Sequence, residues 1–399
     1  MLANPRGACR NPCWQYGPTM RILALEPYYG GSHRAFLDGW SQRSRHRWTL
    51  LTLPAHHWKW RMRHAAVTLR AQIHDLGTPL DAWDLVWCSD MLNLAEFKGL
   101  LPPEVARLPA IAYFHENQLT YPVQVEDARD LHFGITNFLT ALAADAVWFN
   151  STFHQNDFLG ALDIIWKQMP DRPPRREVKE IRDKSQVFPP AVGEFPPRGV
   201  RQPGPLRIVW AARWEHDKNP GTLFAALKQL LDRNIDFQIS ILGESFRETP
   251  AIFAEARDWL ASHIKHWGFL STADYRQALG EADVFVSTAH HEFFGISAVE
   301  AMTAGAYPVL PNRLAYPELL TGLSEQQKNR FLYDGTVPQL AHRLEALAGR
   351  LQQEQLGETP VSEVQQLAQR FQWKVASKKM DLALERLCAA HRRQGDLDH

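Results

Sequence analysis

The densest run of chemistry-bearing side chains in this 399-residue sequence is His290, His291, Glu292, Phe293, Phe294, Gly295, Ile296, Ser297, Ala298, Val299, Glu300. Gly295 and Ile296 stand where a helix would begin after an apolar strand, and the unpaired N–H groups of a helix start attract an anion. Glu292, ahead of that start, and Glu300, beyond its first turn, would then face different parts of one ligand. Two histidines beside a glutamate are also metal-ligand types. Adjacent residues of an extended run point to opposite sides, however, and no second ligand cluster accompanies them, so no metal is expected. A second run, Arg213, Trp214, Glu215, His216, Asp217, Lys218, places an Arg and a Lys five positions apart at a strand end. Fixed positive charge there can clamp a departing diphosphate; the same residues can equally form a solvated loop closed by its own salt bridge.

Two more clusters follow apolar runs. His115, Glu116, Asn117 and Gln118 come directly after the run Ala110–Phe114, either as polar groups delivered to a cleft or with His115 as a hydrogen-bonded core residue. Tyr28, Tyr29, Gly30, Gly31, Ser32 and His33 precede an amphipathic stretch. Adjacent glycines let a backbone approach a ligand, and a helix start behind them favours an anionic one, although a Gly-Gly turn is also an ordinary structural turn. The G-x-G-x-x-G spacing is absent, which argues against a nicotinamide dehydrogenase.

Bringing four such clusters together requires strands whose ends converge. Short apolar runs at 21–26, 48–53, 83–88, 110–114 and 146–150 alternate with longer amphipathic stretches, the pattern of a parallel α/β domain. Between Pro170 and Pro205 nine prolines sit in a dense mixture of charges, which reads as a break in that pattern. The alternation restarts at 206–212 and continues through 237–242, 284–287, 307–310 and a weaker 331–333. The tail after Val361 is helical in composition and is expected to cross the domain junction. The expectation is α/β: a domain over 20–200 with a proline-rich linker from about 170, and a second over 201–399, both doubly wound and Rossmann-like, facing a central cleft that receives ligands from the carboxyl ends of the strands.

Composition narrows the function classes. Forty-four Lys plus Arg balance forty-four Asp plus Glu, so net charge announces neither nucleic acid nor membrane, and any such partner must be read from local patches. Cys9, Cys13, Cys88 and Cys388 do not make a disulfide scaffold, which fits a reducing cytoplasm. Residues 1–19 lack the apolar stretch of a signal peptide and read as a disordered extension, with translation starting at Met20 as an option. No amphipathic membrane helix is evident.

Taken together, Arg213 and Lys218, then Gly243 and Glu244, then Glu292 and Glu300 with seven residues between them resemble the donor-binding half of the retaining GT-B glycosyltransferases of family 4. By that resemblance Arg213 and Lys218 hold the sugar-nucleotide diphosphate, Glu292 lies near the donor sugar, and Glu300 bonds the ribose hydroxyls. Phe294, Gly295 and Ile296 line the donor, Gly30 and Gly31 match the phosphate-side turn of the first domain, and His115 matches its cleft histidine. A narrower likeness runs from Met20 almost to the end: Y-Y-G-G-S-H at Tyr28, T-L-P-A-H-H-W-K-W-R at Thr52, F-H-E-N-Q-L-T-Y-P-V at Phe114, R-W-E-H-D-K at Arg213, H-W-G at His266 and H-E-F-F-G at His291 resemble the tRNA-queuosine mannosyltransferase family. That resemblance implies transfer of mannose from GDP-mannose to the queuosine cyclopentenediol of tRNA-Asp, with no tightly bound cofactor and no membrane. A lipid or polysaccharide acceptor, or a noncatalytic RNA-binding protein on the same scaffold, are the rival readings.

One feature bears on RNA independently. From Gly39 through His74 there is no Asp or Glu, while Arg43, Arg45, Arg47, Lys59, Arg61, Arg63 and Arg70 lie among Trp40, Trp48, Trp58 and Trp60. Cations with aromatic planes suit phosphate contacts and stacking on an unpaired base; the bland reading is a solvated helix face with core tryptophans. Lys59, Trp60, Arg61 and Arg63, with Glu116, Asn117 and Gln118, are the expected acceptor-binding residues.

Overall fold

The protein is described here by a computed structural model, covering residues 19–79, 81–122, 130–244, 249–352 and 361–397. Of the expected extension, residues 1–18, including Cys9 and Cys13, lie outside the described residues.

Two parallel six-stranded sheets carry the chain. The first comprises β1 (Arg21–Tyr29), β2 (Arg47–Pro54), β3 (Leu85–Ser89), β4 (Ala110–Phe114), β5 (Ala146–Phe149) and β6 (Ser185–Val187), in the order β2-β1-β3-β4-β5-β6. The second comprises β7 (Leu206–Ala211), β8 (Phe237–Leu242), β9 (Ile264–Gly268), β10 (Val284–Val286), β11 (Tyr307–Pro311) and β12 (Leu332–Tyr333), in the order β12-β11-β10-β7-β8-β9. The helices that matter to the site are α1 (Gly31–Ser41), α2 (Trp58–Asp75), α3 (Leu131–Ala143), α4 (Thr152–Lys167), α5 (Arg175–Asp183), α6 (Pro220–Asp232), α7 (Ile296–Ala304) and α8 (Trp373–Leu397). Helices on both faces explain why the inner strands are continuously apolar: all five residues of Ala110–Phe114 are buried.

Strand order reverses between β1 and β3 in the first sheet and between β7 and β10 in the second. Crevices outside the carboxyl ends at such switch points are where open parallel sheets take ligands. All four clusters singled out above lie at the carboxyl ends of strands, in the last strand residues, the following loop or the start of the next helix.

The composition break between Pro170 and Pro205 conceals two elements. Within α5 only Val178 and Ile181 are buried, one helical turn apart, and they join the first core while the charged residues around them face out. β6 then pairs with β5, Val147 to Ser185 through Phe149 to Val187. Prolines bracket these elements instead of interrupting them, so the expected linker from about 170 is part of the first sheet's packing as far as Val187. β9 also escapes the periodicity reading, because an edge strand carrying Lys265 and His266 shows no apolar run.

α8 returns to the first sheet. Val192 bridges to Gln372, and Trp373, Ala376, Met380, Leu384 and Cys388 then pack with Ile22, Trp40 and Trp87. Buried Asp381 gathers three donors from the first domain, Trp40 Nε1 at 2.9 Å, Ser44 Oγ at 2.8 Å and the Arg45 amide at 3.0 Å. Asp381→Ala leaves these donors unsatisfied and is expected to cost about 3 kcal/mol of stability. Urea denaturation checks it, and an unchanged midpoint would show that the clasp contributes nothing.

Candidate active site

The second sheet builds one wall of the site. Gly243, at the end of β8, has φ 156°, and a Cβ there would stand 1.8 Å from the Ala212 carbonyl oxygen, so only glycine allows the β7 and β8 loops to lie this close. Arg213 leaves β7 toward the opposite wall, where one guanidinium nitrogen donates to the Tyr121 hydroxyl at 2.6 Å and pairs with Glu215 at 3.4 Å. Burial opposes its charge, but Tyr121, Glu215 and Glu116 outweigh that and keep it protonated.

Lys218 ends a short 3-10 turn, His216–Lys218, and is buried. Its Nζ donates to the His291 carbonyl at 2.7 Å and pairs with Asp217 at 3.0 Å and Glu292 at 3.6 Å. Burial disfavours the ammonium, yet Glu292 and Asp217 raise its pKa. Asp217 also fixes the opposite loop through its carbonyl, which accepts from the His290 amide at 2.7 Å. The two loops are therefore one unit: the β7 loop supplies the cations together with Glu215 and Asp217, and the β10 loop supplies Glu292.

α7 starts at Ile296 after Gly295, whose φ of 92° turns the chain into the helix. Phe294 lies in the second core beneath it, while Gly295 abuts the Tyr316 ring, where a Cβ would come to 2.9 Å. Glu300, one turn into α7, accepts from the Tyr275 hydroxyl at 2.8 Å, and burial raises its carboxyl. Glu244, beyond Gly243, is exposed. Of the paired histidines His290 is exposed, whereas His291 packs against Tyr121, ring centroids 5.3 Å apart, and burial beside Lys218 pushes it down to about 4, a neutral ring. They diverge as adjacent residues on an extended run must.

The facing wall comes from the first sheet. Gly30 precedes α1 and sits so close to the β2 loop that a Cβ would meet the Ala55 Cβ at 2.4 Å, and Gly31 opens α1 at φ 50°. His115 leaves β4 with its amide held by Asp90 Oδ1 at 2.8 Å and its carbonyl accepting from Asn150 Nδ2 at 2.8 Å. Its ring lies on the His33 ring, centroids 4.0 Å apart. His33, Glu26 and Asp90 were not among the expected site residues; the signal was available in the histidine of Y-Y-G-G-S-H, and in a glutamate that ends an otherwise apolar strand.

Glu26, His33 and His115 are also the group whose ligand atoms, all within 4.8 Å of one another, come close enough for a cation among the described residues. Both Glu26 oxygens are already engaged, by Tyr28 N and Ser89 Oγ at 2.9 Å each and by His33 Nδ1 at 3.2 Å. The donor set suits an ion pair better than a metal.

The expected acceptor residues separate. Trp60 is 61% exposed and stacks on His64, with centroids 4.7 Å apart. Lys59 lies over the Trp58 ring, and Arg63 over Phe133 beside His132. Arg61, in contrast, is buried at 8% exposure, donating from Nε to the Pro54 carbonyl at 2.9 Å and sitting against His56 and His64. It pins the β2–α2 loop and is unavailable to a phosphate. Asn117 is equally internal: its Oδ1 accepts from the Leu119 and Thr120 amides at 3.0 Å each, closing the turn. Gln118 is also buried and donates to Glu116 at 3.0 Å, leaving Glu116 as the half-buried member of that trio. At the front of the acid-free segment Trp40 lies in the core and Arg45 pairs with Glu385 of α8, while Arg43 and Arg47 are exposed.

The domains touch beside the cleft as well as across it. Ser151 Oγ donates to the Phe293 carbonyl at 2.5 Å, His154 stacks on Phe293 at 4.0 Å, and Glu318 accepts from the Thr152 amide at 2.8 Å at the start of α4.

Comparison with known proteins identifies this arrangement. Residues 194–357 match the family Glycosyl transferases group 1, and residues 21–192 match tRNA-queuosine alpha-mannosyltransferase N-terminal. Anabaena HepE in complex with UDP superposes at a TM-score of 0.65 over 92% of this chain and 100% of that one, at 18% identity. Sucrose-phosphate synthase from Thermosynechococcus elongatus superposes at 0.70 over 93% and 100%, at 14% identity. The fold is that of the GT-B glycosyltransferases, and the chain is a glycosyltransferase. It is 38% identical over 311 residues to the tRNA-queuosine alpha-mannosyltransferase of Drosophila melanogaster, spanning 75% of this chain and 81% of that protein. The chain belongs to the tRNA-queuosine alpha-mannosyltransferase family. A phosphatidyl-myo-inositol mannosyltransferase from Mycolicibacterium smegmatis is 30% identical over 46% of each chain. Among the described residues no helix is long and apolar enough to cross a membrane.

Proposed function

We propose that the protein transfers a mannosyl group from GDP-mannose to a hydroxyl of the queuosine cyclopentenediol in tRNA-Asp, in the cytoplasm, with the anomeric configuration retained. The observation that carries this is the single loop unit in which Lys218, Arg213 and the start of α7 converge with Glu292 at the β7/β10 switch point. The bond from the anomeric carbon to the diphosphate breaks while the acceptor oxygen bonds the same face. The acceptor proton passes to the leaving phosphate, and Arg213, Lys218 and the α7 amides take up the charge that develops there. Glu292, held by Lys218, stands by the sugar; Glu300, braced by Tyr275, takes the ribose hydroxyls. Gly30, Gly31 and His115 close the site from the other wall. Nucleoside mass spectrometry of tRNA from cells with and without the gene tests the reading: the hexosylated queuosine should disappear from tRNA-Asp, and its persistence would end the proposal.

The tRNA meets the outward turn of α2. Lys59 and Arg63 take phosphates and Trp60, already stacked on His64, takes an unpaired base. Replacing Lys59 and Arg63 by Ala should lower the salt dependence of tRNA binding by about 1.4 in log–log slope, two single-strand contacts at about 0.7 each. Trp60→Ala should cost about 1–3 kcal/mol of tRNA affinity, and all of these changes should leave donor affinity intact. Filter binding at several salt concentrations checks both. An unaltered slope and affinity would make this turn an ordinary solvated face.

A further inference from the structure

Beneath the cleft histidine lies a buried pair that the transfer reaction as described does not use. Strand alternation puts the fully buried Glu26 on the same face of β1 as Ile22 and Ala24, which pack with Phe36 and Trp40 of α1. There it meets His33 Nδ1 at 3.2 Å, while its other oxygen is fixed by the Tyr28 amide and the Ser89 hydroxyl. The His33 ring, 7% exposed, lies against that of His115 at a tilt of 31°, and the His115 ring is further boxed by Phe36 edge-on at 5.2 Å and Tyr113 at 4.7 Å. His115 Nε2 is buried without a protein partner.

We propose that Glu26 and His33 are positioning residues for His115: the pair places a fixed positive charge against the cleft histidine's ring, so that His115 meets the sugar as a neutral imidazole able both to donate and to accept a hydrogen bond. The inference rests on reading the cleft as the sugar-transfer site. Burial works against the His33 charge, but Glu26 at contact distance, with smaller help from Asp90 and Glu116, pushes its pKa up to about 9; burial raises the Asp90 carboxyl itself to about 8, which leaves Glu26 as the main counter-charge. Burial and the adjacent His33 charge together hold His115 well below the ordinary histidine value, with His154 adding to them from α4. Tyr28, edge-on to His33 at 5.8 Å, completes its surroundings. Charge on two stacked rings is mutually unfavourable, so the one tied to a carboxylate keeps the proton. A neutral ring also suits the chemistry. A cationic His115 would compete with Arg213 and Lys218 for the diphosphate and could no longer accept a hydrogen bond from a sugar hydroxyl.

Two readouts on the full-length protein test this. The first is a pH titration of histidines carrying a carbon-13 label at Cε1, assigned with His33→Gln and His115→Gln. In the parent, His33 should titrate near 9 and His115 should stay flat through the range where an ordinary histidine titrates. In Glu26→Gln, His33 should lose its charge below neutral pH and His115 should begin to titrate inside that window. The second is turnover against pH at saturating donor. Glu26→Gln should lose about 10-fold more activity at pH 6 than at pH 8, with the donor KM within about 2-fold of the parent, and Glu26→Asp should restore much of the acid-side loss. If Glu26→Gln does not fold, His33→Gln removes the same charge and should show the same acid-side loss. A loss equal at every pH, or a His115 resonance indifferent to the His33 charge, would overturn the proposal. The titration needs no substrate, so a parent that shows it and yet moves no mannose would count against the proposed function alone.

Discussion

Lys218→Ala lowers mannosyl turnover by about 100- to 1,000-fold, the largest loss expected from any single substitution in the protein. The side chain is buried between Asp217 and Glu292, so its removal does more than delete a cation: it leaves two carboxylates facing a departing diphosphate with nothing to neutralise them. Arg213→Ala should lose about 100-fold, because α7 and Lys218 still cover part of the charge. Single-turnover rates at saturating donor separate this effect from weakened binding. Circular dichroism checks the fold, which matters more for Lys218, whose ammonium also ties the β7 loop to the His291 carbonyl. A folded Lys218→Ala protein that turns over like the parent would remove the diphosphate clamp from the account.

Glu292→Gln and Glu300→Gln should fail differently. Glu292 sits within ion-pair distance of Lys218 ahead of α7, whereas Glu300 lies a turn inside the helix and is held by Tyr275. Glu292→Gln is expected to cut the single-turnover rate by about 100-fold with the donor Kd changed by less than about 3-fold, the mark of an interaction made in the transition state. Glu300→Gln should weaken donor binding by about 10-fold or more and leave the saturated rate within about 3-fold. Tyr275→Phe should reproduce a milder form of the Glu300 defect. Matching losses in donor affinity, with unchanged rates in both variants, would contradict this division of roles.

The second domain's wall of the cleft was legible because its pattern is local. Arg213 to Lys218 and His291 to Glu300 are short runs whose spacing already implies a strand, a loop and a helix start, and the structure realises that order at 213–218 and 291–300. The first domain's wall was less so, because burial there depends on distant partners. Nothing near Trp40 or Arg45 announces that Asp381 and Glu385, more than three hundred residues away, supply the carboxylates missing from the acid-free segment. Arg61 reads like its neighbours Lys59 and Arg63, yet helical spacing turns it inward to the Pro54 carbonyl. α5 and β6 were hidden by composition: two buried aliphatics suffice when the rest of a sheet is already built. Glu26 and His33, seven positions apart across a strand end and a turn, join only once α1 packs on the face of β1 that carries Ile22, Ala24 and Glu26.

The most direct test of the central claim uses the purified protein, GDP-mannose labelled in the sugar, and two preparations of tRNA-Asp that differ only in whether the anticodon-loop nucleotide is queuosine or unmodified guanosine. The account predicts label on the queuosine tRNA alone, recovered after nuclease digestion as a single mannosylated nucleoside in α configuration, and lost with Lys218→Ala. Equal labelling of both tRNAs, or transfer to neither while a lipid or glycan acceptor is labelled, would contradict it.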